Sequence, residues 1–243
     1  PKGVQISPIS TALSENYLSA HTHLTKHANI NSNGFCALNT AMMHTGAVIQ
    51  ITANTTVDRP IMLTFLSSGH MENVATYPRI LVTAGANTEV QIIERYVGLG
   101  SEPYFTNHVS EIVLEENARM EHYKIQEETQ SSFHVSTMQI HQDRDSHFVS
   151  HSISLGGNIS RHDINSTLSS PGANCHLYGL YLAKERQHVD YHTRINHLAP
   201  HCLSKEIYKG ILDGHARGVF NGQVLVNIDA QKTNAEQAND NLL

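Results

Sequence analysis

The sequence predicts an all-β body preceded by short helices, and three observations carry that prediction. From Ala47 onward, short runs rich in Val, Ile and Thr alternate apolar with polar residues: AVIQIT, RILVTA, TEVQIIE, EIVLEE, STMQIH and GQVLVNI. A period of two is that of strands with one buried face. Between the runs stand turn signals such as Ala-Gly-Ala-Asn, Ser-Pro-Gly-Ala-Asn and Leu-Asp-Gly-His, which leave no room for a helix at each crossover. The turns also recur. GANTEVQIIE from Gly85, ENARMEHYKI from Glu116, DRDSHFVSHSIS from Asp143, GANCHLYGLYL from Gly172 and PHCLSKEIYKGIL from Pro200 share one layout, at a step of roughly 27 to 32 residues.

The elements follow in order. Ser7-Pro8 reads as an N-cap followed by proline at the first helical position, with Leu13, Tyr17, Leu18 and Leu24 on one helical face. A second short helix covers FCALNTAMM and ends near Gly46. Residues 1–46 thus form an N-terminal helical cap segment and residues 47–243 a single β domain. The repeat suits a β-solenoid in which each coil buries its inward residues on its neighbours. At ~4.8 Å per coil, about seven coils would make a rod ~30 to 35 Å long. A two-sheet sandwich fits the same periodicity. A solenoid has two ends with unpaired strand edges; the N-terminal helices are expected to cap one, and the sequence shows no cap for the other.

Bulk properties exclude several function classes. A chain of 243 residues with 40% hydrophobic residues can bury a full core. Its net charge of −6 lacks the basic field of a nucleic-acid binder. No run approaches the ~20 apolar residues of a membrane span, and no secretion signal opens the chain, so a cytoplasmic protein is expected. Cys36, Cys175 and Cys202 are odd in number and far apart, unlike a disulfide framework.

Candidate chemistry is sparse. Histidine is abundant, at 18 residues, with His21 and His23 in the helical segment and His188, His192, His197 and His201 further on. With no HExxH or CxxC spacing, these read as surface or strand side chains. Cys175 and Cys202 lie about one repeat apart. Stacked on adjacent coils they would offer a soft pair for iron, zinc or sulfur; read plainly, they are small buried hydrophobes. The pairs Glu115-Glu116 and Glu127-Glu128 read as solvated strand ends. There is no phosphate-binding loop and no G-x-S-x-G elbow. The clustered acids and secretion signal of a polysaccharide-cleaving β-helix enzyme are also missing.

The run YLAKERQHVDYHTRINHLAPHCLSKEIYKGILDGHARGVFNGQVLVNIDAQKTNAEQANDNLL, with ALNTAMMHTGAVIQI, DRPIMLTF and PRILVTAGANTEVQIIE before it, closely resembles the SufB/SufD family. These are the scaffold proteins of the SUF iron–sulfur cluster assembly system, and the likeness covers essentially the whole chain. GVFNGQVLV and AQKTNAEQANDNLL are similar to the SufD branch. SufB typically carries a cysteine in the matching Q-C-D-S-L-L run, where this chain has Asn239. An amide can neither carry persulfide sulfur nor bind iron as a thiolate does.

The resemblance implies a right-handed parallel β-helix and a heterodimer with SufB formed near the C-terminal ends of the two β-helices. It also implies a helical region that binds the SufC ATPase. That region follows the NLL motif, and Pro1 is not an initiator methionine, so the chain is expected to be a core fragment. Val219, Phe220, Val224 and Val226, with Gln231, Lys232 and Asn239, are placed near the partner-facing end. The expected role is a non-catalytic scaffold subunit that binds no cofactor of its own, with a transient iron–sulfur cluster in the full complex and ATP on SufC. Self-pairing through the same edge is expected when SufB is absent. The alternative is a direct metal or iron–sulfur carrier using cysteine and histidine ligands.

Overall fold

The computed structural model describes residues 2–31, 33–68 and 74–243. Its N-terminal part holds β1 (Val4–Pro8), α1 (Ile9–Ser14), α2 (Leu18–His23) and α3 (Gly34–Met42). The body follows as β2 (Gly46–Ile51), β3 (Ile61–Ser67), β4 (Val74–Thr76), β5 (Arg79–Ala84), β6 (Glu89–Gly98) and β7 (Tyr104–Leu114). Next come β8 (Arg119–Glu127), β9 (Phe133–Gln142), β10 (His147–Ser154), β11 (Ile159–Leu168) and β12 (Asn174–Ala183). The last four strands are β13 (His188–His197), β14 (Leu203–Leu212), β15 (Arg217–Val226) and β16 (Asn234–Leu242).

Successive strands of the body change sheets. One sheet runs β1-β2-β5-β7-β9-β11-β13-β15, with β4 also on β7, and the other β16-β14-β12-β10-β8-β6-β3. Every pairing except β1 with β2 is parallel. Parallel neighbours that are next but one in the chain make a β-solenoid, here of about 7 turns, and set aside the sandwich reading. The five recurring segments of the sequence contain β6, β8, β10, β12 and β14, so the repeat is one coil.

The corners explain why the repeat was visible. Asn87, Asn117, Asp145, Gly172, His201 and Lys232 each stand just before a strand of the second sheet, with φ of 58°, 56°, 54°, 79°, 63° and 60°. This left-handed conformation favours Gly, Asn and Asp. The asparagines also stack: Asn117 Nδ2 donates to Asn87 Oδ1 at 2.9 Å and Asn87 Nδ2 to Asn54 Oδ1 at 3.1 Å. Asn117→Ala therefore loses both left-handed tolerance and a rung of the ladder. We expect it to cost about 1 to 2 kcal/mol in urea denaturation.

Inward side chains form columns along the bore. In register stand Val90, Met120, Phe148, Cys175 and Ser204, and beside them Ile92, His122, Ser150, Leu177 and Glu206. A third column runs Glu94, Lys124, Ser152, Gly179 and Tyr208. Gly179 is required there, since a Cβ would stand 2.1 Å from Cδ1 of the fully buried Tyr208 ring. Gly179→Val overpacks this layer and is expected to cost about 3 kcal/mol, read as a lower denaturation midpoint.

The N-terminal part departs from the sequence reading. Ser7-Pro8 both closes β1 and leads into α1, with Pro8 rather than Ser7 at the N-cap: Ser7 pairs with Val48 across β1 and β2, and its hydroxyl donates to Tyr17 Oη at 3.3 Å instead of capping the helix. The single helical face also breaks, because Asn16 takes φ 56°. Leu13 and Leu18 are left 39% and 81% exposed, while Ile9, Ala12, Ala20 and Leu24 pack on Val48 and Leu81. It is β1, antiparallel to β2, that covers the sheet edge; the helices lie on the outer face. The FCALNTAMM helix is present as α3, with the Asn33 side chain accepting from the backbone N–H of Phe35 and Cys36 at 2.9 and 3.1 Å. Among the described residues no helix is long and apolar enough to cross a membrane.

Candidate functional site

Within the described residues the two sheets finish on β15 and β16. β15 pairs only with β13 and β16 only with β14, so both sheets finish on strands whose outer edges have no strand partner among the described residues. Every residue of β16 is exposed. Such edges hold rows of backbone donors and acceptors available to another strand.

The residues marked from the sequence gather at this end. Val219 faces outward and is 37% exposed. Phe220 turns inward and stacks on Tyr208 with ring centroids 4.6 Å apart. Val224 and Val226 continue the inward columns of Ile195 and His197. Gln231 and Lys232 form the corner before β16, where the Gln231 carbonyl accepts from the His201 N–H at 3.1 Å. Asn239 lies in register with Tyr208 and accepts from Asn241 Nδ2 at 3.4 Å. Asn241 Oδ1 in turn accepts from the Tyr181 hydroxyl at 2.6 Å.

Cys175 and Cys202 are not brought together as a stacked pair. The residue in register with Cys175 is Ser204, whereas Cys202 lies at the corner before β14. Both are fully buried. Burial pushes the Cys175 thiol up to about 12 and also raises Cys202, so neither supplies thiolate readily. Among the described residues no group of three or more His, Cys, Asp or Glu side chains is arranged to hold a metal ion.

Sequence reasoning missed the polar interior. His108, His122, His134 and His162 are each at most 1% exposed, and with them are buried Glu94, Lys124 and Glu128. His108 Nε2 lies 3.4 Å from Glu94 Oε2 and His122 Nε2 3.2 Å from Glu94 Oε1; the Tyr96 hydroxyl donates to the same carboxylate at 2.9 Å. His134 Nδ1 is 2.7 Å from Glu128 Oε2, and Thr106 Oγ1 and Gln126 Nε2 donate to Glu128 at 2.8 and 3.1 Å. The pair Glu127-Glu128 is thus not a solvated strand end. Glu127 is an exposed partner of Arg95, whereas Glu128 is interior.

The protonation states follow from the setting. Burial opposes charge on Glu94, but His108, His122 and Lys124 outweigh it and hold the carboxyl well below its usual range. Burial lowers His108 to about 3 and Lys124 to about 8, and depresses His134 and His162. Burial thus disfavours the charged form of His108, His134 and His162 beside the buried carboxylates of Glu94 and Glu128. Alternation could have revealed it: His122, Lys124 and Gln126 share the parity of Met120, and Glu94 that of Val90 and Ile92. Two cavities adjoin these strands. One of about 200 Å³ is lined by Phe65, Tyr96, Thr106 and Glu128. The other, of about 630 Å³, is polar and lies between the start of α3 and the outer faces of β9, β11 and β13.

Comparison with known proteins gives a consistent result. A family model described as "SUF system FeS cluster assembly, SufBD core domain" matches residues 65–243, and one described as "SufBD protein N-terminal region" matches residues 1–63. An iron–sulfur cluster assembly SufBD family protein of Synechocystis is 37% identical over 217 residues, 86% of this chain and 48% of that protein. The chloroplastic protein ABCI7 of Arabidopsis thaliana is 31% identical, over 81% of this chain and 43% of its own length. The Escherichia coli iron–sulfur cluster assembly protein SufD is 29% identical, over 76% of this chain and 44% of its own length. The chain therefore spans about half the length of the curated relatives it matches.

Proposed function

Because the chain belongs to the SufBD family of the SUF iron–sulfur cluster assembly system, we propose that it is a SufD-type scaffold that pairs with a SufB protein. The observation that carries this reading is the parallel β-solenoid built by residues 65–243, the span that the SufBD core model matches. In this reading the SufC ATPase contacts helical parts of the family's proteins outside this chain, and the iron–sulfur cluster is cargo of the assembled complex.

Two features favour a scaffold over a direct carrier. The position that holds a cysteine in SufB carries Asn239 here, and Cys175 and Cys202 are buried, protonated and out of register. Size-exclusion chromatography with light scattering of the chain mixed with SufB or with SufC tests the reading. A stable complex with SufB and none with SufC is expected. Association with SufC alone would move the ATPase contact into the solenoid and refute the proposal.

A further inference from the structure

Three imidazoles from three parts of the chain meet over the outer faces of β7 and β9: His23 in the last turn of α2, His27 in the strap of residues 24–31 that follows it, and His141 on β9. His23 Nδ1 and His27 Nε2 share a hydrogen bond at 3.2 Å, and their rings stack with centroids 5.5 Å apart. The His27 ring lies 5.3 Å from that of His141, whose Nε2 meets Ser169 Oγ at 3.3 Å. One nitrogen of the first pair must be a bare acceptor, so that bond exists only while His23 or His27 is neutral. The strap beside the joint is strained. Its Thr25, a β-branched residue, is held at φ 64°, a conformation such side chains rarely adopt. What holds it down are the backbone N–H bonds of Thr25, His27 and Ala28 to the Glu111 carboxylate and the packing of Ala28 on Cys36 and Val109.

We propose that these imidazoles form a pH-sensitive latch: in mild acid they take up protons, the hydrogen bond between His23 and His27 is lost, like charges gather in one joint, and the strap lifts from β7 and β9. The charged groups around the joint set the balance. Burial first, and then His141 on β9, hold His23 and His27 below the ordinary imidazole value, against the pull of Glu111 on both and of Glu115, just beyond β7, on His23. Glu111 is itself paired with Arg79 of β5. Asp143, which follows β9, accepts from Ser169 Oγ at 3.3 Å, and Lys26 of the strap is exposed. An unhindered imidazole takes its proton near about 6.5, and in the closed strap uptake comes at lower pH. The lifted strap therefore binds more protons in between, so the closed state is favoured above about 6.5 and loses ground as the pH falls. His27 and Asn29 line the polar cavity of about 630 Å³ together with Asn33, Arg161 and Asp163, and lifting the strap removes that wall.

Thermolysin digestion of the full chain at pH 5.5 and pH 7.5 tests this, each rate being divided by that of an unfolded substrate under the same conditions. Cleavage within residues 24–31 tracks how often the strap opens, and it is expected to rise about tenfold from the higher pH to the lower while the strands stay intact. The double variant His23→Gln with His27→Gln keeps hydrogen-bonding side chains that do not ionise, and its two rates should agree within about twofold. Each protein is compared with itself at the two pH values, so a general loosening by the substitutions leaves the test intact. His44→Gln, at an exposed histidine between α3 and β2, should rise like the parent chain. A flat profile in the parent chain would overturn the latch. So would an undiminished rise in the double variant, since the titrating group would then be neither His23 nor His27.

Discussion

Replacing Glu111 with alanine will destabilise the chain by about 3 to 5 kcal/mol. The Glu111 and Arg79 side chains are fully buried, with Arg79 Nη2 2.5 Å from Glu111 Oε2. The same carboxylate accepts backbone N–H bonds from Thr25, His27 and Ala28 at 2.8, 2.8 and 3.0 Å. Arg79 also donates to Asn39 Oδ1 and Thr40 Oγ1, each at 3.2 Å. One carboxylate thus ties the segment after α2 to the solenoid and neutralises the cation that holds α3. Truncation leaves a buried guanidinium without its counter-ion and three amides without an acceptor. The double variant Arg79→Met with Glu111→Leu should cost less than Glu111→Ala, because it removes the stranded charge. Urea denaturation measures both, and limited proteolysis should show cleavage near residues 25–28 appearing first. A loss below about 1 kcal/mol would mean that the clamp is unimportant.

Nothing in the sequence marked Glu111 as interior, and the reason is physical. Alternation identifies a buried face only when the other face meets water. β7 is buried at ten of its eleven residues, Tyr104 to Leu114, because the bore lies on one side and the N-terminal segment on the other. Its period of two therefore vanishes. The body was legible where that condition holds, as in β8, β10 and β12, and where corners need a left-handed residue, as at Asn87, Asn117 and Gly172. β1 escaped notice because a five-residue strand ending on Pro8 imitates a helix start.

The functional end was placed by resemblance. Only the register shows that Phe220, Val224 and Val226 point into the bore while Val219 points out of it. The buried histidines were missed for a different reason. Residue type suggests an exposed position for His, Lys and Glu, yet parity with Val90, Ile92 and Met120 indicates the interior. In this solenoid parity proves the better guide, because the bore accepts polar side chains beside one another, as where Ser154 and Ser160 meet His162.

Ionisation of Glu206 is expected to cost the fold about 3 kcal/mol as pH rises from about 4.5 to about 7, against the opposite trend set by the buried histidines, whose lowered pKa values favour the fold as pH rises. Glu206 is fully buried and neither carboxyl oxygen has a partner. Burial, only partly offset by Thr193, pushes it up to about 7. The groups facing it are Tyr208 on its own strand, Cys175 on β12 and Thr193 on β13, with Gln237 in register on β16. None of these is a cation. The folded pKa lies above the unfolded one, so between them the folded state binds more protons and loses stability with rising pH. Above about 7 the penalty is complete. Glu206→Gln removes this ionisation, and between pH 5 and pH 8 its unfolding free energy should gain about 2 to 3 kcal/mol over that of the parent chain. Parallel pH profiles for the two proteins would show that Glu206 is paired or hydrated in solution. The cost falls on the coil directly beneath β15 and β16.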